Sequence, residues 1–303
     1  MEVDCLLIAD DLTGACDSAV QFTLRGLAAS VMLADDPPPP GARVVAVSTD
    51  SRHLPEHEIP QIMARVAERY RADVVFKKID SVLRGNPGAE IAAALDAFGC
   101  DAAVATPAFP AMGRIATAAA GPILRSDRHV PADGVAAALR SGARIVSADA
   151  ATGADLACIV AQAQSTGLRI LWAGSGGLAA ALGGGAANSR CDRKAAVTFC
   201  IGSDHPVTLE QIAALRRERT NCTVLTLAAV DVTPDILLLS GGDTASAVCR
   251  RADARRIDLC GEVLPGIPWG ILRCGRFDGI PVVTKSGGFG APDALIRIAE
   301  FFE

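Results

Sequence analysis

Leu237-Leu238-Leu239-Ser240-Gly241-Gly242-Asp243-Thr244 is an apolar run that breaks into two glycines, an acid and a hydroxyl, and residues 245–251 continue with helical composition. The glycines therefore sit where a buried strand turns into a helix start. Such a junction leaves several backbone N–H groups unpaired at the positive end of a helix, and glycine lets a ligand come close to them. A phosphate fits there. Thr284-Lys285-Ser286-Gly287-Gly288-Phe289-Gly290 forms a second island after the apolar Ile280-Pro281-Val282-Val283. Two glycine islands after two strands, one carrying a lysine, point to a nucleotide site built from this end of the chain. Either island alone is also what a chain needs in order to turn. Neither matches the G-x-x-x-x-G-K-[ST] or G-x-G-x-x-G fingerprints, so the residues themselves reach an anion site and stop there.

The bulk properties narrow the setting. A chain of 303 residues is long enough for two domains with their own cores. Hydrophobic residues make up 50% but aromatics only 4%, so the cores must be built from Ala, Val, Leu and Ile. The net charge of −5 and the lack of any Lys/Arg cluster exclude an electrostatic footprint for nucleic acid. No apolar run approaches the roughly 18 residues of a membrane span. Met1-Glu2-Val3-Asp4 lacks a basic leader region, which predicts a cytoplasmic protein. The ten cysteines are scattered, and Cys5, Cys158 and Cys200 lie in apolar runs, as expected of buried thiols rather than a disulfide framework.

Apolar runs alternate with helical patterns almost from end to end. Strands are expected at residues 6–9, 44–47, 74–76, 102–105, 168–172 and 197–201, and helices up to about residue 25, at 59–70 and at 88–98. This alternation predicts an α/β fold of two domains, each a mainly parallel sheet flanked by helices, with a cleft between. Gly183-Gly184-Gly185-Ala186-Ala187-Asn188-Ser189 reads as the linker. It places a first domain at about 1–185 and a second at about 186–303. Ligands on such sheets bind at the carboxyl ends of strands, so the loops after strands carry the chemistry.

Three such loops in the first half are crowded with polar groups. Asp10-Asp11-Leu12-Thr13-Gly14-Ala15 puts two carboxylates at a helix start, where they can bind hydroxyls, act as a base or cap the helix. Ser48-Thr49-Asp50-Ser51-Arg52 offers the same alternatives. Lys77-Lys78-Ile79-Asp80-Ser81-Val82-Leu83-Arg84-Gly85-Asn86 is denser. Adjacent lysines flush with a buried strand cost desolvation unless something anionic is near, and Arg84 can hold a carboxylate in a bidentate fork. Two other motifs are decoys. His53-Leu54-Pro55-Glu56-His57 matches H-x-x-E-H in letters, but Pro55 suits a helix's first turn and leaves His53 outside it. Ala173-Gly174-Ser175-Gly176-Gly177 lacks the first glycine of a nucleophile elbow.

Taken in order, these loops resemble the four-carbon acid sugar kinase family. The matching pieces are Ile8-Ala9-Asp10-Asp11-Leu12-Thr13-Gly14-Ala15, Ser48-Thr49-Asp50-Ser51-Arg52 and residues 77–86. They continue through Thr106-Pro107-Ala108-Phe109-Pro110-Ala111-Met112-Gly113-Arg114, Gly174-Ser175-Gly176-Gly177-Leu178-Ala179, and Gly202-Ser203 with Pro206-Val207-Thr208 and Gln211-Ile212. Gly241-Gly242-Asp243-Thr244, Pro265-Gly266-Ile267-Pro268 and residues 285–290 complete the series. The chain departs from the family in being shorter, running from Thr226 through Pro234 straight into the Leu237 strand, and in the small-residue stretch 115–121.

The resemblance implies ATP-dependent phosphorylation of an acid such as threonate, erythronate or 3-oxo-tetronate. It implies a sugar-acid-binding first domain and a nucleotide-binding second domain. Ser203, Gly241, Gly242, Asp243, Thr244, Gly287, Gly288 and Gly290 would fall on the nucleotide. Asp50, Arg52, Lys78, Arg84, Arg114 and Ser175 would face the substrate. One of Asp10, Asp11 or Asp80 would accept the hydroxyl proton, with Lys285 near the developing charge. Mg²⁺ would bridge phosphate oxygens, with no separate protein-held metal. The partner is a small-molecule sugar acid, with no nucleic acid and no membrane, and self-association into a homo-oligomer stays open. The alternative reading is a non-catalytic relative that senses a sugar acid or a nucleotide.

Overall fold

A computed structural model describes residues 1–119, 121, 124–185, 190–219, 223–225 and 233–303. Positions 186–189 of the expected linker, and with them the boundary after residue 185, lie outside the described residues. So do parts of the stretches 115–121 and 226–234.

The first half runs β1 (Glu2–Ala9), α1 (Leu12–Thr23), β2 (Ala29–Met32), β3 (Val44–Ser48), α2 (Ile59–Arg69), β4 (Arg71–Lys78), α3 (Pro87–Phe98) and β5 (Ala102–Thr106). It continues with β6 (Arg128–Val130), α4 (Val135–Arg140), β7 (Ile145–Ala148), α5 (Gly153–Gln164), β8 (Ile170–Gly174) and α6 (Gly176–Gly183). The second half runs β9 (Val197–Ile201), α7 (Pro206–Glu218), β10 (Thr223–Leu225), β11 (Ile236–Ser240), α8 (Gly242–Arg251), β12 (Arg256–Leu264), β13 (Ile267–Arg273), β14 (Pro281–Lys285) and α9 (Ala294–Phe301). Every expected strand and helix is present, with ends moved by a few residues.

Among the described residues all strands join one sheet, in the order β10-β9-β11-β14-β13-β12-β2-β3-β1-β4-β8-β5-β7-β6. Neighbours from β2 to β6 are parallel, as are β10, β9, β11 and β14. The two parallel blocks meet through the antiparallel pair β12–β13, whose strand β12 lies antiparallel to β2 with Ile257 opposite Val31. That hairpin turns at Gly266, with φ +71°, a left-handed backbone that suits glycine.

Alternation along each strand feeds opposite faces of the sheet. Cys5, Leu7 and Ala9 of β1 join one apolar cluster, and Leu6 and Ile8 join another. The first cluster runs under α1, α5, α6 and α8 and crosses from one half into the other. The second lies beneath α2 and α3, and a third packs α7 and α9 on the second half. Helix α1 is buried from Leu12 to Phe22 and touches α6, α8, β12, β13 and β14. It is the element against which both halves close. Cys5 and Cys200 are buried and Cys158 half-buried, and none of the nine cysteines among the described residues is in a disulfide. Among the described residues no helix is long and apolar enough to cross a membrane.

Candidate active site

The loops after β1, β3 and β4 converge at the carboxyl edge of the first half, because these strands are neighbours in the sheet. Asp11 is the N-cap of α1 and accepts the backbone N–H of Gly14 at 2.9 Å. Its other oxygen accepts Thr13 Oγ1 and Arg52 Nη1, each at 2.9 Å. Arg52 meanwhile grips Asp10 with both arms, Nε at 2.7 Å and Nη2 at 2.9 Å. Asp80 accepts Arg84 Nη2 at 2.6 Å and the backbone N–H groups of Val82 and Arg84. Burial by itself would raise Asp10 and Asp80. The Arg52 bond and the charges of Lys77 and Arg52 outweigh it at Asp10, and Arg84 and Lys78 outweigh it at Asp80, so both carboxyls lie below the usual range.

The adjacent lysines are both buried and both answered by acids. Lys77 Nζ lies 3.0 Å from Glu90 Oε2 on α3. Lys78 Nζ lies 3.8 Å from Asp17 Oδ2 on α1 and presses on the bare backbone of Gly14. Burial raises Asp17 to about 6 against the pull of Lys78. Burial also opposes charge on Lys78, but Asp17, Asp11 and Asp10 outweigh it and raise its pKa.

The glycine islands face this cluster from the other side. Gly241 has φ +101° and leads into α8, whose first residue Gly242 lies so near Asp11 that a Cβ would sit 2.5 Å from Asp11 Oδ2. A Cβ on Gly287 would strike Ser203 Oγ, and one on Gly202 would strike Thr244 Oγ1. The glycines thus let Asp11, Ser203 and Thr244 press against bare backbone, in space that a Cβ would take from those side chains. Thr208 Oγ1 donates to Gly287 O at 2.7 Å, and Gln211 Nε2 reaches Phe289 O, Gly290 O and Ala291 O at 2.9–3.0 Å. Lys285, wholly buried, donates to Ser286 O and Gly287 O beneath the second island. Burial pushes it down to about 8.

Between the two clusters lies a cavity of about 650 Å³. Of the residues read from sequence, Asp11, Arg52, Arg84, Ser203, Gly241, Gly242, Asp243, Thr244, Gly287 and Gly288 line it. Asp10, Lys78, Asp80 and Lys285 stand behind that wall. Arg114 bridges the halves, with one arm on Ser81 Oγ, the other on Gly288 O at 3.2 Å, and its guanidinium over the Phe289 ring. Asp50, with φ +49°, faces α8 through Ser246 and Arg250 instead of the cavity. Ser175 is buried at the start of α6, donating to Ala108 O and accepting Gly177 N–H. Gly290 packs on Ala294 and Gln211, away from the opening. Pro55 precedes a 3-10 turn over Glu56–Glu58, which leaves His53 outside it, 4.0 Å from Asp243 at the cavity's rim.

Several contributors were not legible as such. Thr13 joins the second island through Ser286 Oγ at 3.2 Å. His205 lines the cavity between the islands. Asp17 and Glu90 neutralise the lysines, and for Glu90 a signal was present in the sequence: it is an acid among the alanines of an apolar helix, a placement that calls for a cation beside it.

Two family models match the chain. One describes a sugar-binding N-terminal domain and covers residues 5–120, and the other describes a nucleotide-binding C-terminal domain and covers residues 224–295. The chain is 32% identical to a D-threonate kinase of Bordetella bronchiseptica, over 97% of this chain and 96% of that protein. That alignment runs over 399 positions against 303 residues here, so the relative carries internal segments that this chain lacks. A D-erythronate kinase of Heliobacterium modesticaldum is 26% identical over 98% of this chain and 96% of that protein. A Bordetella bronchiseptica protein solved with bound citrate as a domain-swapped dimer is 29% identical, with a TM-score of 0.52 over all of this chain and 98% of that one.

Proposed function

Since the chain belongs to the four-carbon acid sugar kinase family, we propose that it transfers the terminal phosphoryl group of ATP to a hydroxyl of a four-carbon sugar acid of the threonate, erythronate or 3-oxo-tetronate type. The observation that carries this reading is the single cavity with an acid–arginine wall from the first half and a glycine–amide wall from the second. In the same proposal residues 1–185 hold the acid and residues 186–303 hold the nucleotide.

The roles follow from reach and charge. Arg84 keeps more than half of its side chain exposed at the cavity wall and takes the substrate carboxylate. Arg52 is spent on Asp10 and Asp11 and holds them in place. Arg52 or Arg84 holds all three acids, but Asp11 lines the cavity whereas Asp10 and Asp80 stand behind its wall, so Asp11 accepts the hydroxyl proton. Amides of both islands, with Lys285 behind the second, receive the phosphates. Mg²⁺ would arrive on the phosphate oxygens, since the amides and Lys285 offer it no ligand. Asp204 and Asp243 are exposed carboxylates at the nucleotide wall and would complete its shell. When bound it neutralises phosphate charge. Catalysis then comes mainly from positioning two reactants in line and from the fixed donors around them.

ADP release from Mg·ATP, measured with a panel of four-carbon sugar acids, tests the reading. Release that depends on one of these acids is expected. Thermal stabilisation by acid or nucleotide with no ADP formed under any condition would instead favour the sensor reading, which the kinase relatives do not support. By likeness to the domain-swapped Bordetella protein we also propose a homo-oligomer, to be read by light scattering. The cytoplasm, where ATP is abundant, is the proposed compartment.

A further inference from the structure

We infer that His205 contacts the phosphoryl group that is transferred, its Nε2–H donating to the terminal phosphate of the bound nucleotide. This rests on the nucleotide reading of the cavity and adds a residue to it. His205 immediately precedes α7, and its Nδ1 lies 3.2 Å from the backbone N–H of Val207. A backbone N–H can only donate, so Nδ1 is the acceptor and the ring hydrogen of the neutral side chain sits on Nε2. The helix cap therefore turns the ring into a donor toward whatever it faces.

What it faces is the second glycine island. Nε2 of His205 lies 3.1 Å, and Nη2 of Arg114 3.0 Å, from the point where a Cβ on Gly288 would begin. Arg114 comes from the first half, anchored on Ser81, and His205 comes from the second. Two N–H donors from opposite halves thus meet over bare backbone. His205 is exposed, lines the cavity, and has no acceptor for Nε2–H among the described residues. A phosphoryl group passing from a nucleotide on the second half to an acid on the first must cross where the halves meet. The donor waiting there serves that group rather than the inner phosphates.

Calorimetric titration of the full chain with Mg·ATP and Mg·ADP tests this with two variants. In His205→Asn the amide oxygen can take over the cap, since asparagine is a good N-cap residue, but no atom reaches the Nε2 position. In His205→Gln the amide nitrogen can reach that position while the cap is lost. His205→Asn is expected to bind ATP roughly tenfold or more weakly, with ADP affinity and thermal midpoint close to wild type. His205→Gln is expected to keep most of the ATP affinity while melting a few degrees lower. Unchanged ATP affinity in His205→Asn, or equal losses for ATP and ADP, overturns the role and leaves the nucleotide site standing. No heat for either nucleotide with the wild-type protein overturns both.

Discussion

Lys285 closes β14 with its ammonium wholly buried, donating to Ser286 O and Gly287 O, and burial pushes its pKa down to about 8 from 10.5. A lysine with a lowered folded pKa binds its proton less well than the unfolded chain does. Its cost is thus complete below pH 8 and fades as pH rises toward 10.5. Replacing Lys285 by Met should raise the unfolding free energy at pH 7 by roughly 3 kcal/mol, an advantage that disappears by about pH 10.5. Urea titrations at the two pH values measure it. The same variant should lose ATP affinity, because a buried ammonium with no carboxylate partner among the described residues attracts an incoming phosphate. Asp11 makes the complementary case. Asp11→Asn keeps a good helix cap and should fold normally, yet its turnover should fall about 10²- to 10⁴-fold, the range of a lost general base. Steady-state ADP release decides this, and wild-type turnover in Asp11→Asn would remove Asp11 from the mechanism. The candidate loops could be found in sequence because polar residues crowd after apolar strands. Which of three carboxylates meets the cavity depends on where Arg52 and Arg84 point, and no local pattern encodes that.

At the scale of elements, charge inside the first half is balanced strand against helix. Lys77 on β4 and Glu90 on α3 are both buried, 3.0 Å apart, with Ser51 Oγ also donating to the carboxylate. Removing one partner strands the other in a medium of low polarity. Glu90→Gln should therefore cost about 3–5 kcal/mol, while the joint Lys77→Met, Glu90→Leu variant should recover most of that loss. Denaturant midpoints with constant slopes would show it. Helix α1 meets the β12–β13 hairpin through Gln21, whose Nε2 donates to Glu262 at 2.8 Å, with Gly266 N–H on the same oxygen at 2.9 Å. Burial raises Glu262 to about 7. A carboxyl with a raised folded pKa contributes its stability while protonated. The contribution is whole below about pH 4.5 and is lost as pH rises to about 7. Glu262→Gln keeps the accepting oxygen and should flatten that decline, so equal pH slopes in the two proteins would refute the assignment. The parallel elements were readable because each is a short apolar run closed by a turn. The hairpin was not anticipated, since Pro268 and Gly270 interrupt β13 and β12 alternates instead of running apolar.

For the whole molecule, the antiparallel bridge between β12 and β2 fuses the two parallel blocks into one sheet, and one apolar cluster runs beneath both. Trp172 stands in β8 of the first half and Trp269 in β13 of the second, and both are buried. Single-tryptophan variants, Trp172→Phe and Trp269→Phe, should report coincident denaturant transitions. Separated midpoints would mean that the halves fold independently despite the shared sheet. The periods and breaks of the sequence by themselves determined the α/β class, the strands that end in functional loops and the two glycine islands. Each of these follows from interactions between residues a few positions apart. Only the tertiary structure decided that the islands face Asp11, that Arg114 and His205 meet at Gly288, and that Asp50 and Ser175 turn away from the cavity. Those relations join residues far apart in the chain, and packing between whole elements selects them, leaving no periodic trace in the sequence.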